Sequence, residues 1–67
     1  MSAHGMARWR VVTDSGTIET SAASKYRAKR NAKYRLVMGR KPYLARPTPG
    51  DLAEMRDIGI LRCERIG

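Results

Sequence analysis

Nine lysines and arginines lie between Glu19 and Asp51, and this stretch contains no aspartate or glutamate. They are Lys25, Arg27, Lys29, Arg30, Lys33, Arg35, Arg40, Lys41 and Arg46. Like charges at four-residue spacing cost a helix roughly 0.2–0.5 kcal/mol per pair, and Lys25, Lys29 and Lys33 share this spacing. Lysine and arginine side chains neutralise phosphates and release the counterions that surround them. The basic stretch therefore predicts an anionic partner.

The overall charge agrees with this prediction but does not identify the partner. The formal net charge is +8 and the pI is about 10.6, above the value of about 9 that is typical of nucleic-acid-binding domains. The same charge would also attract an acidic protein surface or an anionic membrane. A membrane partner is disfavoured, because the basic segment lacks the strong apolar face of an interfacial helix.

The sequence lacks the usual patterns of a catalytic, metal or cofactor site. Asp51, Glu54 and Asp57 fall on or beside one short helix, where capping and solvated charge explain them. His4 lies near the N-terminus, in a segment that we expect to be flexible, so it is poorly placed as a general base. Cys63 is the single cysteine, which rules out an internal disulfide or a zinc cluster and fits a reducing cytosol. We predict a non-enzymatic protein without a metal or cofactor.

Two runs of β-type residues near the start of the chain predict a hairpin. Residues Arg8–Thr13 alternate between the two faces of a strand, and Thr17–Thr20 resume the same type of sequence. The short polar loop between them ends at Gly16. This pattern indicates a tight connection with Gly16 in the left-handed conformation.

The alternation in the first strand sorts its side chains onto two faces. Trp9 and Val11 share one face, and we expect Trp9 to pack beneath a helix. Arg8 and Arg10 share the opposite face, which predicts a second basic surface with Arg62 as a possible neighbour.

The segment Ala22–Met38 is rich in alanine, lysine and arginine and predicts a helix. Ser21 or Thr20 could accept a hydrogen bond from the first free amides. Gly39 is expected to end the helix in the left-handed conformation.

The buried face of this helix is not defined by the sequence. Lys29 and Lys33 lie among the apolar positions, although their stems can cover apolar surface while the ammonium groups reach water. We expect Tyr26 in the core. Tyr34 has two alternatives, a place in the core or exposure for stacking on unpaired bases.

The segment Arg40–Pro47 contains two prolines and predicts an extended basic loop. A second, short helix should follow, with Thr48 as its cap, a proline at its first position and Asp51 completing a capping box. Leu52 and Met55 are expected to face inward.

The end of the chain predicts a last strand. Gly59 is expected to end the short helix, and Ile60–Ile66 alternate, with Leu61 and Cys63 on one face. The predicted fold class is α+β in the order β-β-α-(short α)-β, a three-stranded antiparallel sheet with one long helix on a face. Residues 1–7 would form a flexible tail and residues 8–67 a single small domain.

The predicted hairpin leads into Ser21-Ala22-Ala23-Ser24-Lys25-Tyr26-Arg27-Ala28, and the chain closes with the strand Ile-Leu-Arg-Cys-Glu-Arg-Ile. On these features the chain resembles small uncharacterised bacteriophage or prophage accessory proteins, over Arg8 to Ile66. The resemblance implies a phage-encoded protein in the cytoplasm of a bacterial host, with no catalytic site to carry over. In topology alone, the order is also similar to that of a small phage inhibitor of host RNA polymerase, which is acidic.

These observations give one hypothesis and one alternative. The hypothesis is a small basic protein that binds DNA or RNA through phosphate contacts and is only weakly sequence-specific. The predicted contact residues are Lys25, Lys29, Arg30, Lys33, Arg40 and Lys41, with Arg27 or Arg35 contributing according to the rotation of the helix. The alternative is a phage regulator that docks on an acidic host-protein surface through Tyr34, Tyr43 and Leu44 as apolar anchors. A homodimer is compatible with either.

Overall fold

Three strands form an antiparallel sheet, and a long helix packs on one of its faces. The computed structural model describes residues 5–41 and 45–67. In chain order the elements are β1 (Ala7–Thr13), β2 (Gly16–Ala22), α1 (Lys25–Met38), α2 (Pro49–Asp57) and β3 (Ile60–Arg65). The strand order is β2-β1-β3, and both pairs are antiparallel. The predicted fold class is confirmed. Neither helix within the described ranges is long and apolar enough to cross a membrane.

The hairpin between β1 and β2 has the predicted form. Thr13 pairs with Gly16 across a two-residue connection, and Gly16 has a φ of +138°, which glycine adopts without the steric cost of a Cβ. The Thr13 hydroxyl donates to the Gly16 carbonyl at 2.7 Å and accepts from the amide of Ser15 at 3.0 Å. The turn is therefore fixed by residues that lie within three positions of each other.

The main core lies between the sheet and α1. Val11, Ala22, Ala28 and Ala32 are buried there, and Trp9 is among the half-buried side chains that pack against them. The two helical alanines let the backbone of α1 approach the sheet closely. The indole N–H of Trp9 donates to the Ala22 carbonyl at 3.0 Å. Trp9 thus packs beneath the helix, as predicted.

Helix α1 begins three residues later than predicted, and its predicted N-terminal cap is wrong, whereas it ends at Gly39 as predicted but without the left-handed conformation. Ala22 belongs to β2, where it pairs with Ala7 and its side chain is buried. The cap is Ser24, whose hydroxyl accepts from the amide of Arg27 at 3.3 Å. At the other end, Gly39 has a right-handed conformation with φ −62°, and its amide donates to the Arg35 carbonyl. Strand pairing and core burial therefore override the helical preference of Ala22.

Helix α2 begins with the predicted capping box. The Thr48 hydroxyl accepts from the amide of Asp51 at 3.1 Å, and the Asp51 carboxylate accepts from the amide of Thr48 at 3.0 Å. The last helical residue is Asp57 and the C-cap is Ile58, so the predicted end at Gly59 is one residue late. Leu52 is 55% exposed, and its predicted inward orientation is wrong. The contact with α1 is made instead by a second cluster that includes Val37, Met38, Ile58 and Met55.

The connection from α2 to β3 is held by the hairpin turn. The amide of Asp14 donates to the Gly59 carbonyl at 3.0 Å, and the amide of Gly59 donates to the Asp14 carboxylate at 3.1 Å. A Cβ at position 59 would lie 2.8 Å from a carboxylate oxygen of Asp14. This close approach explains the glycine, which the sequence suggested only as a helix end.

Strand β3 contains an irregularity that the alternation does not predict. Arg62 pairs with Val12 and Ile60 pairs with Thr13, so Leu61 is the extra residue of a bulge. A bulge moves the side chains that precede it onto the other face. Ile60 and Cys63 pack on the core, whereas Leu61 is 68% exposed. The prediction that Leu61 shares a face with Cys63 is therefore wrong.

Candidate nucleic-acid interface

Two side-chain hydrogen bonds set the rotation of α1 about its axis. Asn31 donates to the Ser21 carbonyl at 3.3 Å, and Arg35 donates to the Glu19 carbonyl at 2.8 Å. The two donors are one helical turn apart, and the two carbonyls are alternate residues of the edge strand β2. Arg35 is thus directed towards the sheet. Arg27, the other arginine whose role depended on this rotation, is exposed and lies one turn before Asn31 on the same side of the helix, near the end of β2.

Tyr26 is on the solvent side of α1. Its side chain is 69% exposed, so the predicted core position is wrong. The reason is geometric, because two residues advance roughly 200° around a helix and Ala28 occupies the buried side. The Arg30 guanidinium lies 5.8 Å from the centroid of the Tyr26 ring, within the range of a cation–π contact.

A groove with a volume of about 800 Å³ lies between α1 and α2 and reaches Met6, which precedes β1, and the end of β2. We call it the basic groove. Four cations line it, and the described residues of its lining include no carboxylate. The cations are Arg27, Arg30, Lys33 and Arg56, and the larger apolar or aromatic side chains are Met6, Tyr34, Leu52 and Met55. Met6, Tyr34 and Leu52 are 45%, 47% and 55% exposed.

Helix α2 directs its charges to two different sides. At roughly 100° per residue, Leu52, Met55 and Arg56 share the side that lines the groove. Glu54 and Asp57 fall on the other side of the helix, and the Asp51 carboxylate is held in the capping box. Sequence reasoning missed Arg56 and Leu52 as site residues because the acids dominate the charge of this segment. The four-residue spacing of Leu52 and Arg56 is the sequence signal that could have indicated their common face.

Arg40 and Lys41, two predicted phosphate contacts, are paired with acids of α2. Arg40 donates to the Glu54 carboxylate at 2.6 Å, and the Lys41 ammonium lies 3.4 Å from an oxygen of Asp51. The role assigned to them as free cations of an extended loop therefore needs correction. The structure shows them holding the chain between the two helices against α2.

The cap of α2 has a perturbed carboxylate. The Asp51 side chain is only 9% exposed, and the hydrogen bond from the backbone amide of Thr48 is the largest cause that lowers its pKa. Burial raises the pKa, whereas the Thr48 hydroxyl and the nearby Lys41 lower it further, and the pKa lies below its ordinary value. Asp51 is ionised in the folded protein at neutral pH and is explained by the cap and the ion pair.

The face of the sheet away from α1 carries the second group of arginines. We call it the open sheet face; its charged side chains are Arg8, Arg10, Glu19, Arg62 and Glu64. Arg10 lies 3.2 Å from Glu19 and 4.0 Å from Glu64, and Arg8 and Arg62 each lie within 4 Å of one of these acids. Cross-strand register opposes Arg10 to both glutamates. The predicted second basic surface is therefore largely neutralised.

The six cations of α1 differ from all of these. Within residues 5–41 and 45–67, none of them lies within 4 Å of a carboxylate oxygen. Lys25, Arg27 and Arg30 are exposed, whereas Lys29 and Lys33 are half-buried. Of the eight predicted contact residues, the structure brings Arg27, Arg30 and Lys33 together at the basic groove. Lys25 and Lys29 lie elsewhere on the same helix.

The described part of the chain contains no group of three or more histidines, cysteines and acids that could hold a metal ion. Cys63 is half-buried against the main core. Tyr43 and Leu44, predicted as protein-binding anchors, and His4 lie outside the described residues. Comparison with protein-family models, curated proteins and solved structures gave no match. The function must therefore be argued from the site itself.

Proposed function

We propose that this protein binds nucleic acid without catalysing a reaction and that the cations of α1 and the basic groove contact the phosphates. One observation carries the proposal. The positive charges of α1 have no carboxylate partner in the part of the chain that the structure describes, whereas those of the open sheet face and of Arg40 and Lys41 do. The fold thus supplies carboxylate partners to the cations of the open sheet face and of Arg40 and Lys41, and none, among the described residues, to those of α1.

The cations of α1 are crowded closely enough to repel one another. Repulsion between cations one turn apart costs a helix roughly 0.2–0.5 kcal/mol per pair, and the first turn of α1 contains no acid to oppose it. A phosphate chain relieves this repulsion, and the release of its counterions favours binding. Phosphate contacts position a protein without reading bases, so we expect weak sequence preference.

The test is a salt titration of binding to labelled single-stranded and double-stranded DNA and RNA. If each of the four groove cations neutralises one phosphate of a single strand, the slope of log affinity against log salt is about −3, from roughly 0.7 per phosphate. Micromolar protein that leaves every one of these probes unbound at low salt would contradict the proposal.

A second candidate function is supported by the exposure of Tyr34 and Leu52 beside cations. An acidic host protein with an apolar projection would complement such a surface, its charges steering association and its apolar group fixing the complex. Nuclease treatment separates the two candidates. Retention of one defined acidic protein on the nuclease-treated wild type, and its loss from a Tyr34→Ala variant, would favour the protein partner.

The origin and location of the protein stay predictions. A phage-encoded accessory protein in the bacterial cytoplasm fits a small nucleic-acid-binding chain with a single cysteine. A homodimer would double the area of the basic groove. Sedimentation of the purified protein measures the oligomeric state directly.

A further inference from the structure

The basic groove combines two features that a surface made only for solubility does not need. Its cations have no carboxylate partner among the residues that the structure describes, and three exposed apolar or aromatic side chains lie among them, namely Met6, Tyr34 and Leu52. Exposed apolar side chains grouped in a concavity and bordered by polar groups mark a ligand or partner site.

The groove is concave, and this shape restricts the kind of nucleic acid that can enter it. Duplex DNA is read by a helix that projects into the major groove. The exposed flank of α1 instead forms one wall of the groove, opposite α2, and its polar Asn31 is already bonded to the Ser21 carbonyl. A duplex could contact the rim with its phosphates, but its stacked bases could not reach Tyr34 or Leu52.

We propose that the basic groove binds a single-stranded segment of nucleic acid, with unpaired bases against Tyr34 and Leu52 and phosphates on the four cations. This inference rests on the proposed function and names its substrate class. Stacking on an aromatic ring is open to every base, because each has a π face. The uncompensated charge favours a polyanion, and the apolar side chains between the cations contact the bases that the strand exposes.

The positions of the cations fit this arrangement. Arg27 and Arg30 lie on α1 on the same side as Tyr34, and Arg56 extends from α2 on the other side of the groove. Lys33 is half-buried and lines the groove, and a lysine stem can cover apolar surface while its ammonium stays in water. Phosphates could therefore bind on both walls while the bases lie between them.

The chain offers a matched control for the aromatic contact. Tyr26 and Tyr34 are both exposed tyrosines of α1, but only Tyr34 lines the groove. The experiment compares Tyr34→Ala, Tyr34→Phe and Tyr26→Ala with the wild type. The probes are labelled oligothymidylate, oligouridylate and a DNA duplex of the same length, at one salt concentration, and circular dichroism reports the folding of each variant.

We expect the wild type to bind the single strands about tenfold more tightly than the duplex. Tyr34→Ala should weaken single-strand binding about tenfold, since losing one stacked base costs on this order, and should leave duplex binding unchanged. Tyr34→Phe keeps the ring and should bind like the wild type. Tyr26→Ala removes the cation–π contact of Arg30 but no ring of the groove, so it should weaken binding less than about threefold, and equally for single strand and duplex. Tighter binding of either single strand than of the duplex supports the single-strand site. The tighter binder of oligothymidylate and oligouridylate identifies the sugar that the groove prefers.

Three results would overturn the inference, and they differ in whether the proposed function survives. Equal affinity for duplex and single strand, or equal losses in the two alanine variants, would refute the groove as a single-strand site while the proposed function stands. Failure of the wild type to bind any of the probes would refute both.

Discussion

The open sheet face and the basic groove each carry at least three cations, yet their surroundings differ. On the open face, the register of the strands brings Glu19 and Glu64 to opposite sides of Arg10. In the groove, the described lining contains four cations and no acid. The comparison shows that the partners that the fold supplies, rather than the number of positive charges, decide which surface remains available to a phosphate chain.

The largest effect should come from reversing charge in the groove. Arg27→Glu with Arg30→Glu should weaken binding of oligothymidylate about a hundredfold, since two phosphate contacts become repulsive. The fold should tolerate the change, because both side chains are exposed and Arg27 lies in the first turn of the helix, where an acid is favourable. Fluorescence anisotropy at fixed salt measures the effect.

The control for that variant is Arg62→Glu with Arg65→Glu on β3, which alters the net charge equally. We expect a loss of less than about threefold, from the reduced long-range attraction alone. If this control weakened binding as much as the groove variant does, the net charge alone would explain the affinity and the position of the cations would not matter.

The next effect concerns the wall of the groove that α2 provides. Thr48→Ala removes the cap and should lower the free energy of unfolding by about 1 kcal/mol, measured by urea titration. Thr17→Ala, at an exposed position of β2, is the control and should change it by less than about 0.5 kcal/mol. Equal losses in the two variants would contradict the role of the capping box.

The same cap should make the free energy of unfolding depend on pH in the acidic range. The pKa of Asp51 is lower in the folded protein than its ordinary value, so the unfolded chain binds this proton more readily. The stabilisation is therefore complete above about pH 5 and is lost as the pH falls through the lowered pKa. Asp51→Asn should reduce this part of the acid sensitivity. If the free energy of unfolding of Asp51→Asn depended on pH as that of the wild type does, Asp51 would not be the group responsible.

A smaller effect should follow from making the open sheet face resemble the groove. Glu19→Gln with Glu64→Gln removes the carboxylates that neutralise three arginines. Binding of duplex DNA at low salt should tighten about threefold, because the freed cations can then contact phosphates. If duplex binding did not change, the ion pairs with Glu19 and Glu64 would not be what keeps this surface from binding phosphates.

The smallest effect is expected at the loop. Arg40→Gln with Lys41→Gln should change nucleic-acid affinity by less than about twofold, because both side chains already contact acids of α2. Competition binding against the wild type resolves such a difference. A loss similar to that of the groove variants would restore these two residues to the site, as the sequence had indicated.

Local sequence predicted those parts of the fold that neighbouring residues determine. Gly16 and the reciprocal hydrogen bonds of Thr48 and Asp51 involve partners within three positions, so their residue types suffice. The start of α1 and the face of Leu61 were missed, because Ala22 pairs with a distant strand and the bulge depends on the register with β1.

The candidate site was predictable only in part, for the same reason. The acid-free stretch pointed to α1 as the basic element. The rotation of α1 could not be predicted, because Asn31 and Arg35 set it through hydrogen bonds to β2, which the spacing of residues along the chain does not reveal. Arg56 enters the site only when α2 docks on α1. Tyr26 was placed in the core because aromatics are few, yet the close packing on the sheet admits only alanine there.

The most direct measurement compares salt slopes for two triple variants bound to a single strand. One removes Arg27, Arg30 and Arg56 and the other removes Arg8, Arg10 and Arg62, each by substitution with glutamine, so the change in net charge is the same. The account predicts that the groove variant loses about 2 from the magnitude of the slope, at roughly 0.7 per phosphate, and that the open-face variant keeps the wild-type slope. Equal changes in the two slopes, or a larger change in the open-face variant, would contradict it.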